Sequence, residues 1–132
     1  MAKSLLLVDT DVLIDFSRGV EQSREQLREL EKNRVLAISV VTQLELMVGC
    51  ENNRAFKSLQ KFLDSFNILH LNSSISKQAV ELFEEYRLSH GVLIPDMLIA
   101  STALTLEIAL MSKNRKDFRF IDKLDLVKYQ VS

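Results

Sequence analysis

The apolar residues of this chain fall into two patterns. Short unbroken runs, Leu5-Leu6-Leu7-Val8, Val35-Leu36-Ala37-Ile38 and Ile108-Ala109-Leu110-Met111, show no alternation. That predicts strands buried on both faces, as in parallel sheets. Asn67 to Leu71 reads as another strand, and Phe118 to Ile121 as a short fifth. Between these runs the apolar period is helical. Val12 to Ser17 predicts a short helix ending near Gly19. Residues 20–34, rich in helix formers of alternating charge, predict a solvated helix with Leu27 and Leu30 turned inward. A helix over about 41–48 places Val41, Leu44 and Val48 on one stripe bordered by Glu45, with Gly49 closing it. Residues 53–65 are amphipathic through Phe56, Leu59 and Leu63. Ser73 to Ser89 forms a long helix through Ile75, Ala79, Leu82, Phe83 and Tyr86, broken by Gly91. Ile94-Pro95-Asp96 opens a last helix to about Leu106, with proline in its first turn. Strands alternating with helices predict an α/β fold: a central parallel sheet of four to five strands with helices on both faces.

Composition narrows the class. A length of 132 residues predicts one domain over 1–132, large enough for a real core. The net charge of −1 excludes a molecule that binds nucleic acid by bulk electrostatics, so such binding has to come from a local patch. The single cysteine, Cys50, excludes an intrachain disulfide and leaves no cysteine-based zinc site. No leader-like or membrane-length apolar run is present. A reducing, cytoplasmic location without membrane association is expected.

The strand ends carry the chemistry. Asp9 and Asp11 follow the first strand, Ser39 and then Glu45 the second, and Ser112, Asn114 and Asp117 the fourth. In a parallel sheet these ends share one edge, where ligands bind. Asp96 lies on the same helical ridge as Ile99, Ala100 and Ala103. A carboxylate on such a packed face is costly unless paired or metal-bound. Four acids in one cleft, Asp9, Glu45, Asp96 and Asp117, with no basic partner in their own motifs, raise one another's pKa. A hard divalent cation relieves that repulsion. Oxygen-only donors favour Mg²⁺ or Mn²⁺ over Zn²⁺. Such ions activate water and stabilise in-line displacement at phosphorus.

Taken singly, each acid has a plainer reading: Asp9 as a helix N-cap, Glu45 as a surface residue, Asp96 as a complement to the helix dipole, Asp117 as a solvated loop acid. Taken in order, four motifs make the chain resemble the PIN-domain ribonucleases, most closely the VapC-type toxins of type II toxin–antitoxin pairs. They are Asp9-Thr10-Asp11-Val12-Leu13-Ile14-Asp15, Glu45-Leu46-Met47-Val48-Gly49 after Ser39, Asp96-Met97-Leu98-Ile99-Ala100-Ser101, and Ser112-Lys113-Asn114-Arg115-Lys116-Asp117-Phe118. The resemblance spans essentially the whole length. It implies a three-layer α/β/α sandwich and an endoribonuclease whose metal ligands and catalytic acids are Asp9, Glu45, Asp96 and Asp117. It also implies an RNA substrate, a small cognate antitoxin and a homodimer. Two positions depart from the family pattern: Asp11 replaces its usual Asn and Ser112 its usual Thr. Asp11 either tunes metal affinity or caps the following helix.

Around these acids, Ser112 and Asn114 are expected to orient a carboxylate or bound water. Arg115 and Lys116, with Lys113 and Arg119, are expected to contact phosphate. His70, in a strand, and His90, at a helix end, lie outside the motifs and read as structural or surface residues. Phe62, Phe66, Phe83 and Tyr86 read as core or interface, and no aromatic ladder suggests base stacking. Three alternatives stand beside the nuclease. A haloacid-dehalogenase-type phosphatase would use Asp9 as nucleophile and Asp11 as general acid. A phosphorelay receiver lacks its acceptor Asp after the third strand. A PIN fold could also serve only as a binding module.

Overall fold

The fold was obtained as a computed structural model, which describes residues 3–130. In chain order its elements are β1 (Ser4–Val8), α1 (Thr10–Ser17), α2 (Glu21–Glu31), β2 (Arg34–Ser39), α3 (Val40–Val48), α4 (Asn53–Leu63), β3 (Asn67–Leu69), α5 (Ser73–His90), α6 (Ile94–Leu106), β4 (Ala109–Met111) and β5 (Leu126–Val127). The five strands form one parallel sheet in the order β3-β2-β1-β4-β5.

The uninterrupted apolar runs take the centre of the sheet. Leu6 lies beside Leu36 and Ala109, and Leu7 beside Ala37 and Leu110. Successive side chains of a strand point to opposite faces, so each run feeds two cores. Leu6, Val8, Leu36, Ile38, Ala109 and Met111 pack with residues of α1, α2 and α4, among them Val12, Leu13, Leu27 and Leu63. Leu7 and Leu110 pack with Leu82 of α5 and with Met97, Ile99, Ala100 and Ala103 of α6. The result is a three-layer α/β/α sandwich.

From β1 the chain steps outward to β2 and then β3, whereas β4 returns on the other side of β1. The carboxyl ends of β1 and β4 therefore flank a topological switch point, where open parallel sheets leave a crevice. Side-chain caps fix where several helices start. Ser39 Oγ accepts from Val41 N at 3.0 Å, Asn52 Oδ1 from Ala55 N at 2.8 Å and Asn72 Oδ1 from Ile75 N at 2.8 Å. Gly91, with φ 58°, turns the chain from α5 into α6 in the left-handed region that glycine tolerates.

Two expectations fail. Phe118 to Ile121 is not a strand. A short 3₁₀ helix, Arg115–Asp117, leads into turns in which Ile121 N donates to Phe118 O (3.0 Å) and Leu124 N to Ile121 O (3.1 Å). Phe118 and Ile121 are buried three residues apart, a turn period rather than a strand period. The fifth strand is the two-residue β5, paired to Leu110 and Met111. His70 lies just past β3 and is exposed.

Burial on both faces has a measurable signature. Leu6→Ala and Leu7→Ala, adjacent but facing opposite cores, should each lose about 2–5 kcal/mol in urea unfolding. A strand with one solvated face would lose little at one of the two positions.

Candidate functional site

Asp9 directly follows β1. Its backbone N–H donates to Met111 O at 2.9 Å, carrying the β1–β4 ladder one residue further. Its carboxylate then turns back onto the start of α1, where Oδ1 accepts from Thr10 N at 2.8 Å. Oδ2 accepts from Ser112 Oγ at 2.7 Å, from the residue that directly follows β4. Asp9 is thus the N-cap of α1 and a buried acid at the switch point. Burial first, and then the Asp11 carboxylate, push its carboxyl up to about 7, against the bonds from Ser112 and Thr10; Asp96 adds to the rise.

Asp96, in the first turn of α6, is half-buried. Burial and the charges of Asp117, Glu45 and Asp11 push its carboxyl up to about 6. Asp96 thus senses the charges of Asp117 and Glu45, and Asp9 senses that of Asp96. Glu45, exposed on α3, is steered by Thr10: the Thr10 hydroxyl donates to Glu45 Oε1 at 2.8 Å and lies 3.0 Å from Thr42 Oγ1. Asp117 ends the 3₁₀ helix and is exposed. Among the described residues no lysine or arginine pairs with Asp9, Glu45, Asp96 or Asp117.

Asp11 has a different task. Its carboxylate accepts from Lys113 N at 3.3 Å and from Asn114 N at 3.2 Å. Burial nevertheless holds the Asp11 carboxyl above its usual range, against the favourable bonds from Lys113, Val12 and Asn114. Asp11 therefore clamps the loop after β4. Ser112 orients Asp9 as expected. Asn114 works through its backbone, its N–H reaching Asp11 and Ser112 Oγ (3.2 Å).

Lys113, one of the four cations expected at a phosphate rim, has a carboxylate partner within the fold. Its Nζ pairs with Asp15 Oδ1 at 3.2 Å, so its charge is already committed. Arg115, Lys116 and Arg119 remain exposed. Asp15 was not singled out from the sequence. It is buried on α1, and its other oxygen accepts from Tyr129 Oη at 2.8 Å. The signal was present: a carboxylate embedded in V-L-I-D-F meets the criterion that singled out Asp96. Thr10 and Thr42 carried no such signal.

Among the described residues no three carboxyl, imidazole or thiol groups stand close enough to enclose a metal ion by themselves. Oxygen donors that share uncompensated negative charge fit a hard cation that keeps several waters and takes only one or two carboxylates, as Mg²⁺ does.

Comparison with known proteins agrees with this arrangement. The PIN domain family matches residues 6–124. The chain is 34% identical over 121 residues to ribonuclease VapC10 of Mycobacterium tuberculosis, covering 91% of this chain and 90% of that protein. It is 30% identical over 129 residues to ribonuclease VapC1 of Methanocaldococcus jannaschii, covering 96% and 88%. In structure it is similar to a chain of VapBC2 from Rickettsia felis bound to a promoter DNA fragment, with TM-score 0.83, 25% identity and coverage of 96% and 99%. A toxin–antitoxin complex from Klebsiella pneumoniae gives TM-score 0.80, 29% identity and coverage of 95% and 98%. The crossover at β1, the acids gathered there and a family match over most of the sequence lead to one conclusion: the chain belongs to the PIN domain family.

Proposed function

We propose that this protein is a Mg²⁺- or Mn²⁺-dependent endoribonuclease, the toxin of a VapBC-type pair, working as one domain over 1–132. The observation that carries the reading is that Asp9 and Asp96 are both held well above the usual carboxylate range by burial and acidic neighbours, with no basic side chain to offset them. The ribonuclease names of the relatives and the toxin–antitoxin complexes among the structural neighbours support RNA as substrate and a small antitoxin as partner. No helix of the described residues is long and apolar enough to cross a membrane. A cytoplasmic location belongs to the same proposal.

Asp9 and Asp96 would hold the ion, with Glu45 and Asp117 adding charge around it. When bound, it supplies Lewis-acid stabilisation to phosphate oxygens and lowers the pKa of water. The chain's own groups do the rest. Ser112 and Thr10 fix the Asp9 carboxylate in one orientation, so none of that ordering remains to be done during reaction. Thr10 likewise directs Glu45. Asp96, with its carboxyl raised to about 6 by burial and by the charges of Asp117, Glu45 and Asp11, is a group that a bound cation would return to its charged form. Arg115, Lys116 and Arg119 offer positive charge to the RNA backbone beside Asp117.

The homodimer is part of the same proposal. Leu44 and Val48 of α3 are 54% and 87% exposed, and Leu93 and Ile94 at the start of α6 are 63% and 65% exposed. α3 packs against α6, so these side chains belong to neighbouring elements. α4 contributes no large exposed apolar residue among those described; Leu59, Phe62 and Leu63 are spent on its own core.

Three measurements bear on this reading. RNA cleavage should require Mg²⁺ or Mn²⁺, and Asp9→Asn or Asp96→Asn should each lower its rate by about a hundredfold or more. Persistent cleavage by both variants removes the mechanism. The second measurement is thermal stability against pH. Because the Asp9 and Asp96 carboxyls are raised above 3.8 on folding, the folded chain binds protons more tightly than the unfolded one between about pH 4 and about pH 7. The metal-free protein should therefore lose stability as pH rises through that window, by roughly 3–5 kcal/mol for Asp9. Added Mg²⁺ should restore more of the Tm at the upper end than at the lower, and Asp9→Asn should shrink both effects. A Tm indifferent to Mg²⁺ at every pH contradicts the site. Third, light scattering at micromolar concentration should give twice the chain mass, and Val48→Glu should return it to one; a monomeric parent protein refutes the dimer.

A further inference from the structure

Three aromatic rings come together where α5 ends. His90 stacks on Phe120, with centroids 4.1 Å apart and planes 16° from parallel. Tyr86, one turn earlier on α5, meets both edge-on, at 5.6 Å from His90 and 4.9 Å from Phe120. The ladder is invisible along the chain because its members come from a helix and from a turn some thirty residues later.

Along the chain, the cluster is tied to the two segments that carry Asp96 and Asp117. The connector of residues 91–93 joins His90 directly to the first turn of α6, which carries Asp96. Phe120 follows Asp117 by three residues, and buried Phe118 and Ile121 pin the turn on either side of it. Ser89 Oγ lies 2.7 Å from His90 Nδ1 and fixes the imidazole from its own helix. His90 gives one ring face to Phe120, yet the residue remains exposed. The charges around the rings are divided. Glu85 and Asp122 lie near the Tyr86 hydroxyl and repel phosphate. Arg87 is one helical turn before His90, and Arg119 immediately precedes Phe120.

We propose that His90, backed by Phe120, is a stacking platform for a base of the single-stranded RNA whose backbone runs along Arg87 and Arg119 toward Asp117 and Asp96. An exposed ring with a second ring behind it and cations alongside matches what single-stranded nucleic acid needs: a π-face for the base and positive charge for the phosphate. The inference rests on the ribonuclease reading, and it adds substrate-contacting residues that the acid motifs do not include.

The test uses the full-length protein with Asp9→Asn to prevent cleavage, and a fluorescein-labelled oligoribonucleotide followed by anisotropy. His90→Ala should weaken binding by about fivefold or more, while His90→Phe, which keeps a ring, should retain it. Arg119→Gln should reduce the dependence of binding on salt, and His90→Ala should leave that dependence unchanged. An abasic oligomer of the same length should bind the parent and the His90→Ala protein equally. His90→Ala, which loses the contact with Phe120, should lower the Tm by only a few degrees and His90→Phe by less, so binding measured well below the Tm separates binding from folding. Equal affinity of the parent and His90→Ala for the RNA overturns the platform, as does equal loss in His90→Ala and His90→Phe. If the Asp9-intact protein cleaves RNA while His90→Ala binds normally, only the platform falls. If the protein neither binds nor cleaves RNA, the ribonuclease reading falls with it.

Discussion

The 2.7 Å hydrogen bond from Ser112 to Asp9 joins the ends of two adjacent central strands that are a hundred and three residues apart in sequence. Everything about the site depends on its being made. The sheet places β1 and β4 side by side because the crossovers leave β1 in opposite directions, and that same arrangement leaves room at their carboxyl ends. The bond closes the bottom of that room with an oriented carboxylate. Without the two buried faces of β1 the strand ends would not be fixed in register, and without fixed register Ser112 would not meet Asp9.

Much of this was legible along the chain, for definable reasons. Runs such as Leu5 to Val8 specify a doubly buried strand because nothing in them can face water, so the residue after the run lands at the sheet edge. Asp96 stood out because its ridge is otherwise small and apolar. What escaped was set by partners distant in sequence. The pair of Lys113 with Asp15 could not be read along the chain, and Asp15 also bonds Tyr129, more than a hundred residues away. β5 escaped because two residues are too few to show a period, while Phe118, Phe120 and Ile121 imitate one. The stripe through Leu44 and Val48 was read as apolar correctly; which way it faces is decided by packing, not by spacing.

The site also runs against the rest of the molecule energetically. The core is assembled from side chains that gain by leaving water, whereas Asp9 and Asp96 lose by it and lose again by their mutual charge. The folded state keeps them because the surrounding layers are well packed enough to carry the penalty. Such local disagreement between fold and residue is characteristic of places kept for chemistry rather than for stability.

Three acids of one short helix region grip a single loop. Asp9 holds the Ser112 side chain, Asp11 the backbone of Lys113 and Asn114, and Asp15 the Lys113 ammonium. The first three residues of that loop are each fastened to the start of the chain, so the loop leaves β4 along a path set by the acids around α1. What the crevice offers to a ligand is therefore set by three anchor points at the start of the chain rather than by the loop's own preference.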